Sequence, residues 1–100
     1  MLDRRKFYIN GQWVDPSTPN DLEVINPSNE ESFAVISLGD IKDTNDAVDA
    51  AQNAFISWSK KSKEDKISLL KRLLEIYKSK WEVMSEAISL EMGAPIDWAT

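Results

Sequence analysis

The side chains that most often carry catalysis are missing from this sequence, which has no cysteine and no histidine in its 100 residues. Thiolate chemistry, disulfides, cysteine-ligated metal and the commonest proton shuttle are therefore excluded within the chain. Carboxylates are plentiful, and the adjacent pairs Glu30/Glu31 and Glu64/Asp65 come nearest to a general acid with its base. Both pairs fall in turn or helix-start contexts, with nothing to separate their pKa values, so solvated surface is the favoured reading. Gly11, Gly39 and Gly93 are far apart, which leaves no glycine-rich phosphate cradle and no dinucleotide fingerprint. No catalytic and no cofactor-binding residue is assigned within the chain.

Charge is unevenly spread. Residues 1–59 carry 4 basic and 10 acidic groups, residues 60–80 carry 8 and 3, and residues 81–100 carry none and 4. The middle block, Lys60, Lys61, Lys63, Lys66, Lys71, Arg72, Lys78 and Lys80, resembles a phosphate-binding stripe at first sight. On a helix most of these side chains lie opposite Leu70, Leu74 and Tyr77, and Lys71 and Lys78 flank Glu75 at helical spacing. A solvated helix face in an acidic protein of net charge −5 is the simpler reading, and no nucleic-acid partner is expected. No apolar run reaches the ~20 residues of a membrane span, and the start lacks a signal-peptide core. A cytoplasmic protein with no membrane partner is expected. The four tryptophans are dispersed, with Trp58 and Trp81 on apolar helix faces where core packing is expected.

The elements that position these residues follow from the pattern. Phe7-Tyr8-Ile9-Asn10-Gly11-Gln12-Trp13-Val14 is two β-prone runs joined by Asn-Gly, the strongest short-range hairpin signal. Asp15 to Asp21 is a breaker-rich loop. Leu22-Glu23-Val24-Ile25 and Ser32 to Leu38 form a second hairpin across Asn26-Pro27-Ser28-Asn29. The later strand is apolar on both faces for much of its length. After Gly39 the period becomes helical. Asp40 is placed as N-cap with Asp43 at N3, opening a helix over 41–58 with Ala47, Val48, Ala51, Ala54, Phe55 and Trp58 on one side. Ser62 caps a second helix over 63–78, and Ser79 with Glu82 forms a capping-box pattern that predicts a break before a third helix at 80–92. Gly93 suits a left-handed helix end, and Pro95 can open a further turn. The apolar pattern breaks off uncapped at Trp98-Ala99-Thr100, which predicts a piece of a larger domain. The fold class is thus an α+β fragment: two β-hairpins over 7–38, then three to four helices.

The order of these segments is more specific than any one of them. Phe7-Tyr8-Ile9-Asn10-Gly11-Gln12-Trp13-Val14 and Val24-Ile25-Asn26-Pro27 resemble the opening of the NAD(P)-dependent aldehyde dehydrogenase superfamily. The alanine-rich helix Ala47 to Phe55 ending in Trp58, the run Ile67 to Leu74, and Leu90-Glu91-Met92-Gly93-Ala94-Pro95 follow in the family's order. Five weak motifs in register, from about Phe7 to the last residue, make a strong resemblance to the family's amino-terminal segment. Two departures stand out. Many relatives carry glycine in the turn where this chain has Asn29-Glu30, for which an alternative turn or an Asn in the left-handed region would serve. Many carry lysine at Ala94, and the alanine form looks like a bacterial subgroup.

The resemblance implies a parent enzyme that oxidises an aldehyde to a carboxylic acid with NAD or NADP. In that family a cysteine thiolate attacks the aldehyde and hydride passes to the nicotinamide. A glutamate then activates water against the thioester, while an amide-lined hole holds the oxyanion. All of those groups would lie downstream, so this chain would be the outer part of the Rossmann-like coenzyme-binding domain and inactive alone. Its partners would be the remainder of the dehydrogenase and, for the whole protein, an aldehyde and further copies of itself. The resemblance also implies a monovalent cation site, Na+ or K+, drawing on the backbone carbonyls of Val24 and Ile25 and the carboxylate of Glu91. The plain reading of Glu91 is a solvated helix end. The competing functional reading of the chain is a non-enzymatic interaction module that binds a partner through the apolar face of residues 67–90.

Overall fold

The computed structural model describes all of residues 1–100. Strands occupy the first part and helices the rest: β1 (Leu2–Arg4), β2 (Phe7–Ile9), β3 (Gln12–Val14), β4 (Asp21–Asn26), β5 (Glu31–Ser37), α1 (Ile41–Trp58), α2 (Lys63–Ser79), α3 (Trp81–Met92) and α4 (Ile96–Ala99). The chain divides into two compact units, one of residues 1–25 and 31–59, the other of residues 26–30 and 60–100.

In the first unit β2 and β3 pair antiparallel, with Phe7 opposite Val14 and Ile9 opposite Gln12. Asn10 and Gly11 connect them at φ +54° and +76°, both left-handed, as a two-residue type I′ turn requires. Tyr8 and Trp13 face each other across the ribbon with ring centroids 5.2 Å apart. The second sheet has the order β1-β5-β4. Two hairpins are therefore present, but the second is enlarged by β1, which pairs parallel to β5 with Leu2 opposite Ala34. Leu2–Arg4 precedes the hairpins expected over 7–38, and no strand is expected there. Three residues are too few to show a period, and the clue lay in β5, whose apolar character on both faces suits a central strand. Ala34, on β5, is the one buried hydrophobic residue of the chain.

Helix α1 begins as its sequence demands. Asp40 accepts from the Asp43 amide at 3.0 Å while the Asp43 carboxylate accepts from the Asp40 amide at 3.0 Å, a complete capping box. In the second unit α2 opens with Ser62 accepting from the Asp65 amide at 3.1 Å. The expected break after α2 is real but has a different cause. Ser79 caps nothing: its hydroxyl donates back to the Ile76 carbonyl at 2.6 Å, and α3 has Lys80 at its N-cap position with no side-chain cap. Ser79 is still the last helical residue of α2, so the N-cap position falls one residue later, and its hydroxyl bonds back to its own helix as serine readily does in a last turn. An edge-on contact between Tyr77 and Trp81, centroids 5.8 Å apart, spans the break. Gly93 closes α3 at φ +76°, donating to the Ser89 carbonyl at 2.9 Å, and α4 follows Pro95.

Core packing of Trp58 and Trp81 is not what the structure shows, since they are 43% and 44% exposed. Leu70, Leu73, Leu74 and Phe55 are more than half exposed, and α2 has no buried residue at all. The accessible surface is 8344 Å², against about 5,800 Å² for a folded monomer of this mass. The apolar stripes are amphipathic as read, but the chain itself supplies little to cover them.

Candidate functional site

Three places collect chemistry-bearing groups. The first lies in the first unit, where the loop after β3 meets the start of α1. Ser17 donates its amide to Asp43 Oδ1 at 2.8 Å, and its hydroxyl to Asp40 Oδ2. Asp43 is buried, yet both of its oxygens accept backbone hydrogen bonds, so its charge is compensated by dipoles rather than by a cation. Asp40 has its pKa lowered, first by the Ser17 hydroxyl and then by the Asp43 amide. A cleft of about 530 Å³ opens beside them, lined among others by Asn10, Asp15, Asp43, Asp46 and Asp49, with Lys42 the one cation on its wall. Lys42 is itself held by Asp46 at 2.6 Å. Ser17, Asp40, Asp43, Lys42 and Asp46 all find their partners within the unit. The arrangement is a clasp of loop on helix, and no group of three or more potential metal ligands exists in the chain. Sequence reasoning placed Asp40 and Asp43 but missed Ser17, because a serine in a Pro-Ser-Thr-Pro loop carries no mark of what it will reach.

The second place is the end of β4. Val24 is half-buried and Ile25 is 46% exposed, neighbours on one strand in the first unit. Asn26, which ends the strand, organises the turn that follows. Its side-chain oxygen accepts from the Ser28 amide at 2.9 Å and its carbonyl from the Glu30 amide at 2.8 Å. Of the two alternatives the sequence left open, the turn is not built on a left-handed Asn29: its left-handed residue is Glu30, at φ +63°. The shorter bond to the Asn26 carbonyl is made by the Glu30 amide, at 2.8 Å against 3.4 Å for the Asn29 amide, and that sets the reversal one residue later.

The third place is the carboxyl end of α3, in the second unit. Glu91 is exposed in the final turn, where no basic residue offsets it. Its carboxylate therefore gains nothing from the helix dipole, which favours cations at this end. Two residues on, Gly93 presses against the turn after β4: a Cβ at position 93 would lie 2.9 Å from Pro27 Cγ. The Ser89 hydroxyl reinforces the end by donating to the Ala94 carbonyl at 2.7 Å. No helix is long and apolar enough to cross a membrane.

Comparison with known proteins connects these features to a family. The model of the aldehyde dehydrogenase family matches residues 13–100. A 3-succinoylsemialdehyde-pyridine dehydrogenase of a Pseudomonas species is 44% identical over 96 residues, which is 96% of this chain and 20% of that protein. Among solved structures, the aldehyde dehydrogenase of Bartonella henselae superposes with a TM-score of 0.98 at 52% identity, over 99% of this chain and 21% of its own. Aldehyde dehydrogenase C of Pseudomonas syringae, solved with NAD+ and octanal, gives 0.93 at 41% identity, over 95% of this chain and 20% of its own. Strands followed by four helices in this order are the corresponding part of that fold, and the chain, which spans about a fifth of the length of these relatives, belongs to the aldehyde dehydrogenase family.

Proposed function

We propose that this chain is the amino-terminal part of the coenzyme-binding domain of an enzyme that oxidises an aldehyde to a carboxylic acid with NAD or NADP, and that the chain alone is inactive. The observation that carries this reading is the near-complete superposition on a dehydrogenase five times longer, in a chain that has neither a cysteine nor a histidine. The NAD+ and octanal held by the Pseudomonas syringae relative favour a nicotinamide cofactor and an aldehyde substrate for the parent. The glycines here, at 11, 39 and 93, are too dispersed to cradle a dinucleotide, so the cofactor's own contacts belong to other parts of the parent. What these residues contribute is scaffold, and the uncovered stripes of α1 and α2 fit a fragment whose neighbours are the remainder of the subunit. The same stripe at 67–90 is less well explained as a free-standing interaction module, since the whole chain follows the dehydrogenase fold. A cytoplasmic homo-oligomer is the proposed state of the parent.

The proposed cation site belongs to the same reading. Backbone carbonyls of Val24 and Ile25 and the Glu91 carboxylate are hard oxygen donors of the kind Na+ or K+ accepts. An exposed carboxylate at the wrong end of a helix dipole is consistent with a role other than stability. Glu91→Gln in the parent enzyme is expected to weaken its Na+ or K+ dependence, and an unchanged dependence removes the assignment.

The test of the main reading is direct. An antibody raised against this chain should detect, in source cells, a polypeptide several times heavier than 11.4 kDa. That species, once purified, should reduce NAD+ or NADP+ in the presence of an aldehyde, while the 100-residue chain should not. A stable native species at the mass of this chain, with no aldehyde-dependent activity in its heavier fractions, would refute the reading.

A further inference from the structure

We propose that Asn10 is a site of spontaneous covalent modification, deamidating through a cyclic imide to aspartate and isoaspartate. Asn10 and Gly11 form the exposed tip of the β2–β3 ribbon, and nothing lies within 4 Å of the position a Cβ on Gly11 would occupy. The ladder closes at Ile9 opposite Gln12, outside the two turn residues. In the reaction a base removes the proton from the Gly11 amide nitrogen, which attacks the Asn10 side-chain carbonyl carbon. A new C–N bond forms and ammonia leaves. Water then opens either carbonyl of the ring, so asparagine and water become an acid and ammonia, with no change in oxidation state. The closed turn holds Asn10 in the left-handed region, so the tip must open for the nitrogen to reach the carbon. Strands of three residues make that opening easy.

Four of the five other asparagines are built-in controls; the fifth, Asn20, lies exposed in the loop before β4. Asn26 precedes Pro27, which has no amide hydrogen to lose. Asn45 and Asn53 lie inside α1, and the amide that follows Asn29 is held by the Asn26 carbonyl at 2.8 Å. The product is doubly disfavoured in the native turn. Isoaspartate lengthens the backbone by one carbon, which a two-residue turn cannot absorb. The new carboxylate also faces the cleft that Asp15, Asp43, Asp46 and Asp49 already line. Isoaspartate formation therefore unzips β2 from β3, and the loss of ammonia keeps the change from reversing.

The experiment ages the intact protein at mildly alkaline pH and locates isoaspartate by enzymatic methyl labelling and peptide mapping. Label is expected in the peptide that holds Asn10, accumulating in proportion to hydroxide and about tenfold or more faster than at Asn45 or Asn53. Asn10→Gly, which keeps a turn competent for positive φ, should abolish that label and leave the background intact. Trp13→Ala, which removes the aromatic pair beside the turn, should raise the rate about two- to tenfold by making opening easier. An unlabelled Asn10 peptide, or label spread evenly over the asparagines, overturns the proposal. A rate unmoved by Trp13→Ala overturns the opening step.

Discussion

Gly11 and Gly93 hold the same backbone torsion, φ +76°, in different surroundings, which makes them a matched pair for measuring a close approach. At Gly11 an added Cβ meets nothing within 4 Å, so Gly11→Ala registers only the backbone. A left-handed non-glycine costs about 1–2 kcal/mol, of which about 0.4–1 is returned by the stiffer unfolded chain. The expected net loss is about 0.5–1 kcal/mol. At Gly93 the same Cβ falls 2.9 Å from Pro27 Cγ and 3.7 Å from Pro27 Cβ, against a ring that cannot swing aside. Overpacking of that kind adds about 1–3 kcal/mol, so Gly93→Ala should cost about 2–4 in all. Equilibrium urea unfolding of both variants, with the slope held in common, reads the difference. Pro27→Ala in the Gly93→Ala background removes Cγ and should recover most of the excess, as a double-mutant cycle between touching residues must. Equal losses at the two glycines, or no recovery on trimming Pro27, would show that the α3 end and the turn after β4 are not in the contact described.

Asp43→Ala leaves the Asp43 amide bonded to Asp40 but removes the acceptor of both the Asp40 and the Ser17 amides, so it should cost about 2–3 kcal/mol in a thermal melt. Glu30→Gly relieves a left-handed residue at φ +63° and should stabilise by about 0.5–1 kcal/mol in urea; a loss would mean the Glu30 side chain makes a contact that outweighs the strain. Asp3 has its pKa lowered to about 2, chiefly by the side-chain hydrogen bond from Arg5. A depressed carboxyl contributes stability above its unfolded value of 3.8 and loses it as pH falls toward 2. Amide exchange in Leu2–Arg4 should therefore accelerate, relative to the chemical rate, as pH drops through that window, and Asp3→Asn should abolish the effect. Asp3 is fully exposed, so the change should be confined to β1 and leave the melting of the helices where it was.

Much of the local structure is legible in the amino-acid sequence. Asn10-Gly11 specified its turn because positive φ at two successive positions leaves few residues to choose from. Asp40 with Asp43 specified the start of α1, and Gly93 the end of α3, because caps act within four residues of themselves. The family order of these motifs was equally a property of the string. Other features were not legible, and each involves a partner distant in sequence. β1 became a strand because β5, some thirty residues on, presented a free edge, and no three-residue window encodes that. Ser17 became a clasp because Asp40 and Asp43 came within reach, each offering the carboxylate oxygen that its capping bond leaves free. Ser79 matched a capping pattern, yet α2 runs on through Ser79 and so moved the N-cap position of α3 to Lys80. Glu30 took the strained torsion because the Asn26 carbonyl captured its amide.

The candidate site divides along the same line. The residue types present, and the lack of cysteine and histidine, follow from the sequence by itself, as does the amphipathic character of α1 and α2. Only the tertiary structure decided that their apolar stripes stand uncovered, because burial is a relation between a side chain and whatever packs on it, and periodicity records one party to that contact.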